Sequence, residues 1–206
     1  MKIRRLAGIV AVLALLAVFL FLGLAARGGH VFSWDTSVWR FLHGREEAAQ
    51  GSLLDRAAND VVEVGGNTAT LLVALMSIAV LLTRRRARDA GFMIATSVAI
   101  LTLTPLFKEF FERTHLKYSF PSGHSGRSAA VVVAAVFLAW PTRFRWPALL
   151  AGTALIATVG VALVYENWHL PSDVIGGWCL GIACATTMYW WFRPGLRPSE
   201  RRSRSR

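Results

Sequence analysis

The chain has 206 residues, of which 54% are hydrophobic and 17% are charged, and its formal net charge is +11. The apolar residues come in blocks of 17 to 21 with almost no charge inside them, which matches the roughly 20 residues that cross a bilayer. This distribution excludes a soluble globular domain. A membrane topology explains the basic charge better than binding to nucleic acid does, so we expect no nucleic acid partner.

The first apolar run covers residues 6–26 without interruption. The apolar core of a cleaved signal peptide has roughly 7–15 residues, so we predict a retained membrane helix. A polar segment follows at residues 27–63, and within it the aromatic and aliphatic residues of 32–43 recur at spacings of three and four. This spacing predicts a short amphipathic helix at the membrane interface, where Trp34 and Trp39 would be favourable.

Five further apolar runs predict five more membrane helices, which makes six in all. They cover residues 65–83, 90–107, 124–140, 147–165 and 173–192, and another short helix is expected at 53–64. Only helices or closed barrels span lipid, so we predict an all-α bundle that forms one domain over residues 1–192. Gly177 and Gly181 on the sixth run favour close helix contact. The basic, Pro- and Ser-rich residues 193–206 are expected to form a disordered tail.

The charged residues are divided unevenly between the two sides of this six-helix arrangement. With the amino terminus in the cytoplasm, the cytoplasmic segments hold 15 of the 23 Lys and Arg residues but only two of the 12 acidic residues. The positive-inside rule predicts such an asymmetry. Both termini are then cytoplasmic, and three polar segments face outward from what we expect to be a bacterial plasma membrane.

The central polar segment is Pro121-Ser122-Gly123-His124, just before the fourth predicted membrane helix. Serine is a favoured helix N-cap, glycine lets a ligand approach the backbone, and the free N–H groups of a helix start attract an anion. The segment therefore predicts a phosphate cradle in which His124 can move a proton. A capped helix with an interfacial histidine explains the same residues equally well.

A second polar segment contains His169 and Asp173, four residues apart at the start of the sixth predicted helix. On a helix these positions share one face. An aspartate that accepts a hydrogen bond from one imidazole nitrogen makes the other nitrogen more basic, which suits a histidine nucleophile that forms a phosphohistidine. A purely structural His–Asp pair is the alternative.

The third polar segment runs from residue 108 to residue 117 and is rich in cations, among them Lys108, Arg113 and His115. Cationic side chains neutralise phosphate oxygens in phosphoryl transfer. Taken alone, the segment is explained as well by interfacial cations whose charged ends reach toward water.

Together the three segments resemble the signature of the type 2 phosphatidic acid phosphatase superfamily, which includes membrane lipid phosphatases, acid phosphatases and haloperoxidases. That signature has a lysine followed seven residues later by Arg-Pro, then Pro-Ser-Gly-His, and then Ser-Arg, five residues, His, three residues and Asp. The resemblance covers residues from about 35 to 192. It implies that His169 is the nucleophile, Asp173 its orienting partner and His124 the general acid. It also implies a metal-independent reaction without cofactor, with phosphate held by Lys108, Ser122 and the Gly123 amide.

Two arginines of the family signature are absent from this chain. His115-Leu116 stands where the family has Arg-Pro, and Leu163 stands where the third motif has its arginine. A hydrogen bond to a charged group contributes roughly 1.5–3 kcal/mol, so the loss of both arginines would remove most activity unless other residues replace them. We expect Arg113 and Arg127 to do so, with protonated His115 as a further donor.

The resemblance implies hydrolysis of a lipid phosphate or diphosphate through a phosphohistidine, at the non-cytoplasmic face. Polyprenyl diphosphate, phosphatidic acid and phosphatidylglycerol phosphate all fit. A lipid phosphotransferase is a close variant. A divergent, weakly active member that binds a lipid phosphate or a partner protein is the alternative that the missing arginines favour. A vanadate site of the haloperoxidase type would need those cations even more, so we do not expect it.

Overall fold

The computed structural model describes residues 2–43, 53–64, 67–112 and 119–192. Within these ranges the chain forms eight α-helices and no strand, which confirms the predicted all-α class there. Residues 193–206, predicted to form the tail, lie outside the described residues. The helices are α1 (Lys2–Arg27), α2 (Ser33–His43), α3 (Leu53–Val64), α4 (Asn67–Thr83), α5 (Ala87–Phe110), α6 (Gly123–Ala139), α7 (Arg145–Tyr165) and α8 (Pro171–Phe192).

Three stretches of helix are long and apolar enough to cross a membrane: Leu6–Arg27, Ala87–Phe110 and Arg145–Tyr165. Two shorter apolar helices lie at Thr70–Thr83 and Gly123–Ala139. Helix α8 has 22 residues but is not among these candidate spans. Length and composition therefore support three of the six predicted spans, and the six-span arrangement stays a prediction.

Helices α6 and α8 pack against each other along a seam of small residues. A β-carbon at Gly177 would lie 2.1 Å from Ser125 Oγ, and one at Gly181 would lie 2.3 Å from the carbonyl oxygen of Gly126. The backbones approach so closely because neither glycine carries a side chain. This seam confirms the predicted contact and brings the amino-terminal ends of both helices together.

An aromatic cluster anchors the chain immediately before α6. The ring of Phe120 lies 5.4 Å from that of Phe19 on α1 and 5.5 Å from that of Phe111, measured between centroids. All three side chains are buried, and edge-to-face or tilted ring pairs of this kind add to the stabilisation from apolar burial. The cluster fixes where the segment that begins at Pro121 enters the helix bundle.

Helix α2 forms where the sequence predicts a short amphipathic helix, and it packs on α7 and α8. Its inward face carries Asp35, Trp39 and Leu42, and Leu42 packs against an apolar cluster around Val62 of α3. Trp34, Val38 and Phe41 are exposed on other positions of the helix. The helix thus lies beside the start of α8, and its predicted place at the membrane interface stays a prediction.

Candidate active site

The start of α6 is capped as the sequence predicts. Ser122 has an extended backbone, and its side chain accepts a hydrogen bond from the Ser125 N–H at 3.5 Å. The Ser122 carbonyl accepts the Gly126 N–H at 3.1 Å. His124 lies in the first turn, half-buried, with its ring edge-to-face against Trp168 at 5.5 Å between centroids. A capped helix start thus presents His124 toward the loop that precedes α8.

The start of α8 carries the His–Asp pair. His169 and Asp173 are both buried, and His169 Nδ1 lies 3.7 Å from Asp173 Oδ2. This distance is longer than a hydrogen bond, and His169 Nδ1 has no hydrogen-bond partner within the described residues. Asp173 Oδ2 also accepts the Leu170 N–H at 3.1 Å. Catalytic hydrogen bonds are often long without substrate and shorten on binding, so this distance is compatible with the predicted nucleophile and orienting group, and their roles stay predictions.

Hydrogen bonds join the two helix starts directly. The Ser122 N–H donates to the Asp173 carbonyl at 3.0 Å, and Ser125 Oγ donates to the Val174 carbonyl at 3.1 Å. The two polar segments are separated by more than 40 residues in sequence, yet the backbone of one satisfies polar groups of the other. His124 and His169 are therefore held in one site by the main chain and by the glycine seam below it.

Two cations complete the cluster of charges. The sequence predicts that the third membrane helix ends at residue 107, just before Lys108, but α5 continues to Phe110, so Lys108 lies in the last turn of that helix. It lies close enough to Arg127 and Asp173 for their charges to influence its own, and His124 is similarly close to Lys108, Arg127 and His169. The helix continues past the apolar run because the partial negative charge at its carboxyl-terminal end stabilises a cation in the last turn.

Arg127 is turned back toward the start of α6. A β-carbon at Gly123 would lie 3.1 Å from Arg127 Nη1, so the guanidinium group covers the glycine predicted to approach phosphate. Arg127 Nε has no hydrogen-bond partner within the described part of the chain. The other two candidate donors, Arg113 and His115, lie outside the described residues.

The structure gives a physical account of Leu163, which stands at the position of a family arginine. Its side chain is fully buried in an apolar cluster with Val62, Val159 and Val174. Its carbonyl oxygen accepts the N–H groups of Trp168 and His169 at 3.0 and 3.3 Å. Position 163 therefore fixes the His169 loop through its backbone, and its side chain belongs to the core.

Asp35 lies beside the site, although the sequence does not predict it as a site residue. Its carboxylate is completely buried, and Oδ1 accepts the Ser172 N–H at 2.8 Å. Burial raises the pKa of Asp35, and the hydrogen bonds from Ser172 oppose that shift. The sequence contains a signal for this role. Asp35 lies four and seven residues before Trp39 and Leu42, on the apolar face of the predicted amphipathic helix. A carboxylate on such a face needs a hydrogen-bond partner.

A cavity of about 350 Å³ lies below the site, lined by residues of α3, α4, α6 and α7. Ser128 of α6, one turn after His124, is part of its wall. Val73 and Leu155, also in the wall, are about half-exposed, so the cavity opens to the outside of the bundle. Among the described residues, no group of three or more His, Cys, Asp or Glu side chains is placed to hold a metal ion.

The chain is similar to known proteins in both sequence and fold. The family model of the PAP2 superfamily matches residues 97–196. Phosphatidylglycerophosphatase B of Bacillus subtilis (strain 168) is 27% identical over 144 aligned residues, and the match covers 63% of this chain and 70% of that protein.

Two solved structures share the fold. A transmembrane PAP2 type phosphatidylglycerolphosphate phosphatase from Bacillus subtilis has a TM-score of 0.74 at 22% identity and covers 91% of this chain and 98% of its own. LpxE of Aquifex aeolicus has a TM-score of 0.58 at 16% identity and covers 77% and 96%. The family model of the PAP2 superfamily thus covers 97–196, the curated relative is a phosphatidylglycerophosphatase, and the chain shares the fold of both solved structures.

Proposed function

We propose that this chain is an integral membrane enzyme that hydrolyses a lipid phosphate or diphosphate. One observation carries the proposal: His124, His169 and Asp173 come together from two separate helix starts. Lys108 and Arg127 lie close enough for their charges to act on this group. A protein that only binds a lipid phosphate has little need for two histidines and an aspartate. The names of its relatives, which include a phosphatidylglycerophosphatase, support the same chemistry.

In the proposed reaction His169 attacks phosphorus with the ring nitrogen that does not face Asp173. Asp173 accepts a hydrogen bond from the other nitrogen and stabilises the positive charge that develops on the ring. An N–P bond forms as the P–O bond to the lipid alcohol breaks, and His124 gives its proton to the leaving oxygen. Water then gives a proton to His124 as its oxygen attacks phosphorus, the N–P bond to His169 breaks, and inorganic phosphate leaves.

The phosphoryl oxygens would be bound at the start of α6. The Gly123 amide and Ser122 supply neutral donors there, and Lys108 and Arg127 supply charge, so that the transition state is stabilised electrostatically. We further propose Arg113 and His115 as donors from the segment between α5 and α6. Arg127 covers Gly123 and so supplies a cation that the absent family arginines would otherwise provide.

The lipid chain would lie in the cavity lined by Ser128, with the phosphate one helical turn above it at His124. Apart from Asp60 and Ser128, the wall consists of valine, leucine and threonine residues, which suit a hydrocarbon chain. We propose that this end of the bundle faces away from the cytoplasm, with both termini cytoplasmic, because the positive-inside rule favours that orientation. The substrate then reaches the site from within the outer leaflet.

The test is phosphate release by the purified full chain in detergent, with EDTA present. Phosphatidylglycerol phosphate, phosphatidic acid and a polyprenyl diphosphate are compared as substrates, and the control is Arg56→Ala, which changes an exposed cation on α3. We expect EDTA-resistant release that falls by roughly 10³-fold or more in His169→Ala, the scale of losing a catalytic nucleophile, while Arg56→Ala stays near the parent rate.

Two results would contradict the proposal. One is no release from any of the three lipids by folded protein, which would favour the weakly active or binding alternative. The other is release that survives His169→Ala, which would exclude His169 as nucleophile. A lipid alcohol added to the same assay distinguishes a phosphotransferase, because phosphate then appears on the added alcohol instead of in solution.

A further inference from the structure

One buried carboxylate bridges the starts of two helices. Asp35 Oδ2 accepts the Phe32 N–H at 3.2 Å at the start of α2, and Asp35 Oδ1 accepts the Ser172 N–H at 2.8 Å at the start of α8. The side chain is 0% exposed. The first N–H groups of any helix lack acceptors within that helix. One oxygen of Asp35 therefore accepts such an N–H at the start of α2, and the other accepts one at the start of α8.

The position of Ser172 gives this bridge its importance. Ser172 is the residue before Asp173 and the second residue of α8. Asp173 Oδ2 already accepts the Leu170 N–H while it faces His169 Nδ1. Without Asp35, the Ser172 N–H would be buried without this acceptor, immediately before Asp173 in the first turn of α8. Asp35 therefore holds the backbone from which the Asp173 side chain extends.

A second contact from α2 holds the other end of the same loop. Trp39 Nε1 donates to Asn167 Oδ1 at 3.1 Å, and Asn167 has a backbone φ of 56°. Asparagine is one of the few residues other than glycine that adopt this left-handed conformation readily. Helix α2 thus contacts the chain on both sides of His169, at Asn167 and at Ser172.

We propose that Asp35 is a positioning residue for the reaction at His169: by accepting the Ser172 N–H it fixes the start of α8 and keeps the Asp173 carboxylate turned toward the imidazole. The inference rests on the proposed function. An aspartate is needed because two N–H groups point at two oxygens. An asparagine offers one oxygen and one NH₂ group, so it can satisfy only one of the two donors.

The kinetic test compares Asp35→Ala and Asp35→Asn with Ser37→Ala, which removes an exposed side-chain hydrogen bond on the same helix. We expect Asp35→Ala to lower kcat at least about 10-fold with KM changed less than about twofold, because only the orientation of the nucleophile is lost. Asp35→Asn should fall between the alanine variant and the parent. Ser37→Ala should match the parent, and unchanged kcat in Asp35→Ala would overturn the proposal.

A double-mutant cycle distinguishes positioning from general loss of structure. If Asp35 acts through Asp173, then Asp35→Ala should lower kcat less than about twofold further in an Asp173→Asn background, because residues that act as a unit are not additive. Equal fold losses in both backgrounds would overturn the proposal. Asp35→Asn serves the same cycle if the alanine variant does not fold.

Hydrogen exchange gives a readout that does not need activity. We expect peptides that cover residues 168–176 to exchange faster in Asp35→Ala, while peptides from α5 and the Ser37→Ala protein match the parent. Faster exchange throughout the protein would mean general destabilisation and would overturn the proposal. If the parent protein releases no phosphate from any lipid, the proposed function fails, and the exchange pattern still decides whether Asp35 holds the start of α8.

Discussion

The guanidinium group of Arg127 lies over Gly123, one helical turn earlier on α6, where a β-carbon would be 3.1 Å from Nη1 and 3.2 Å from Nη2. A cation therefore covers the capped start of the helix that carries His124. The chain lacks an arginine at position 163, yet this placement gives the same site a planar donor group. Arginine is well suited to that role because its fork of N–H groups matches phosphate oxygens.

We expect Arg127→Ala and Lys108→Ala each to lower kcat/KM by roughly 10- to 100-fold, the scale of one hydrogen bond to a charged group. Arg127→Lys should keep part of the activity, since a lysine retains the charge without the planar fork. Initial rates of phosphate release in mixed micelles measure the effect. Arg56→Ala is the matched control, and near-parent rates in Arg127→Ala would exclude Arg127 as a replacement for the family arginines.

Gly177→Ala tests the seam between α6 and α8. Its β-carbon would meet Ser125 Oγ at 2.1 Å and the Ser122 carbonyl oxygen at 2.5 Å, so the two helix starts must separate. Overpacking of this kind costs typically about 1–3 kcal/mol of stability, and we expect a lower thermal midpoint in detergent together with a larger loss of phosphate release. Gly28→Ala is the control because its β-carbon would have nearest neighbours at 3.5 Å. Equal behaviour of both variants would contradict the account of the seam.

Leu163→Arg restores the residue type that the family signature has at this position. We expect it to lower stability and not to raise activity, because the side chain lies in an apolar cluster and a buried, unpaired charge costs several kcal/mol. Thermal unfolding and phosphate release measured on the same preparations check the prediction. Leu163→Met is the volume-matched control. Higher turnover in Leu163→Arg would show that the arginine reaches the phosphate after all.

Asp35 should make stability depend on pH in a defined direction. Burial raises the pKa of Asp35 above its ordinary value of 3.8, so the folded protein binds this proton more tightly than the unfolded chain does. The stabilising contribution of Asp35 to the free energy of unfolding is fully present below pH 3.8. It is lost as the pH rises through the pKa of Asp35 in the folded protein. The thermal midpoint of the parent minus that of Asp35→Asn should therefore be larger near about pH 3.5 than near about pH 7. A constant or rising difference would contradict this.

The sequence predicted most of the fold because apolar runs and helix signals are local. The cap at Ser122 and the His169–Asp173 spacing were found in the same way, from neighbouring residues. The predicted third membrane helix ends at Phe107 because the apolar run ends there, although α5 continues to Phe110 and includes Lys108. Asp35 was not assigned because its partner at Ser172 is 137 residues away, and no local pattern contains a contact of that range.

The cavity lined by Ser128 has a consequence for how the rate should be measured. It opens sideways, past Val73 and Leu155, into the space that the bilayer would occupy. In the proposed reaction the lipid chain never enters water, so substrate arrives by diffusion in two dimensions. We expect the rate to follow the mole fraction of lipid phosphate in the micelle and to fall when neutral detergent is added at a fixed bulk concentration of substrate. A rate that is insensitive to such dilution would indicate that substrate arrives from solution.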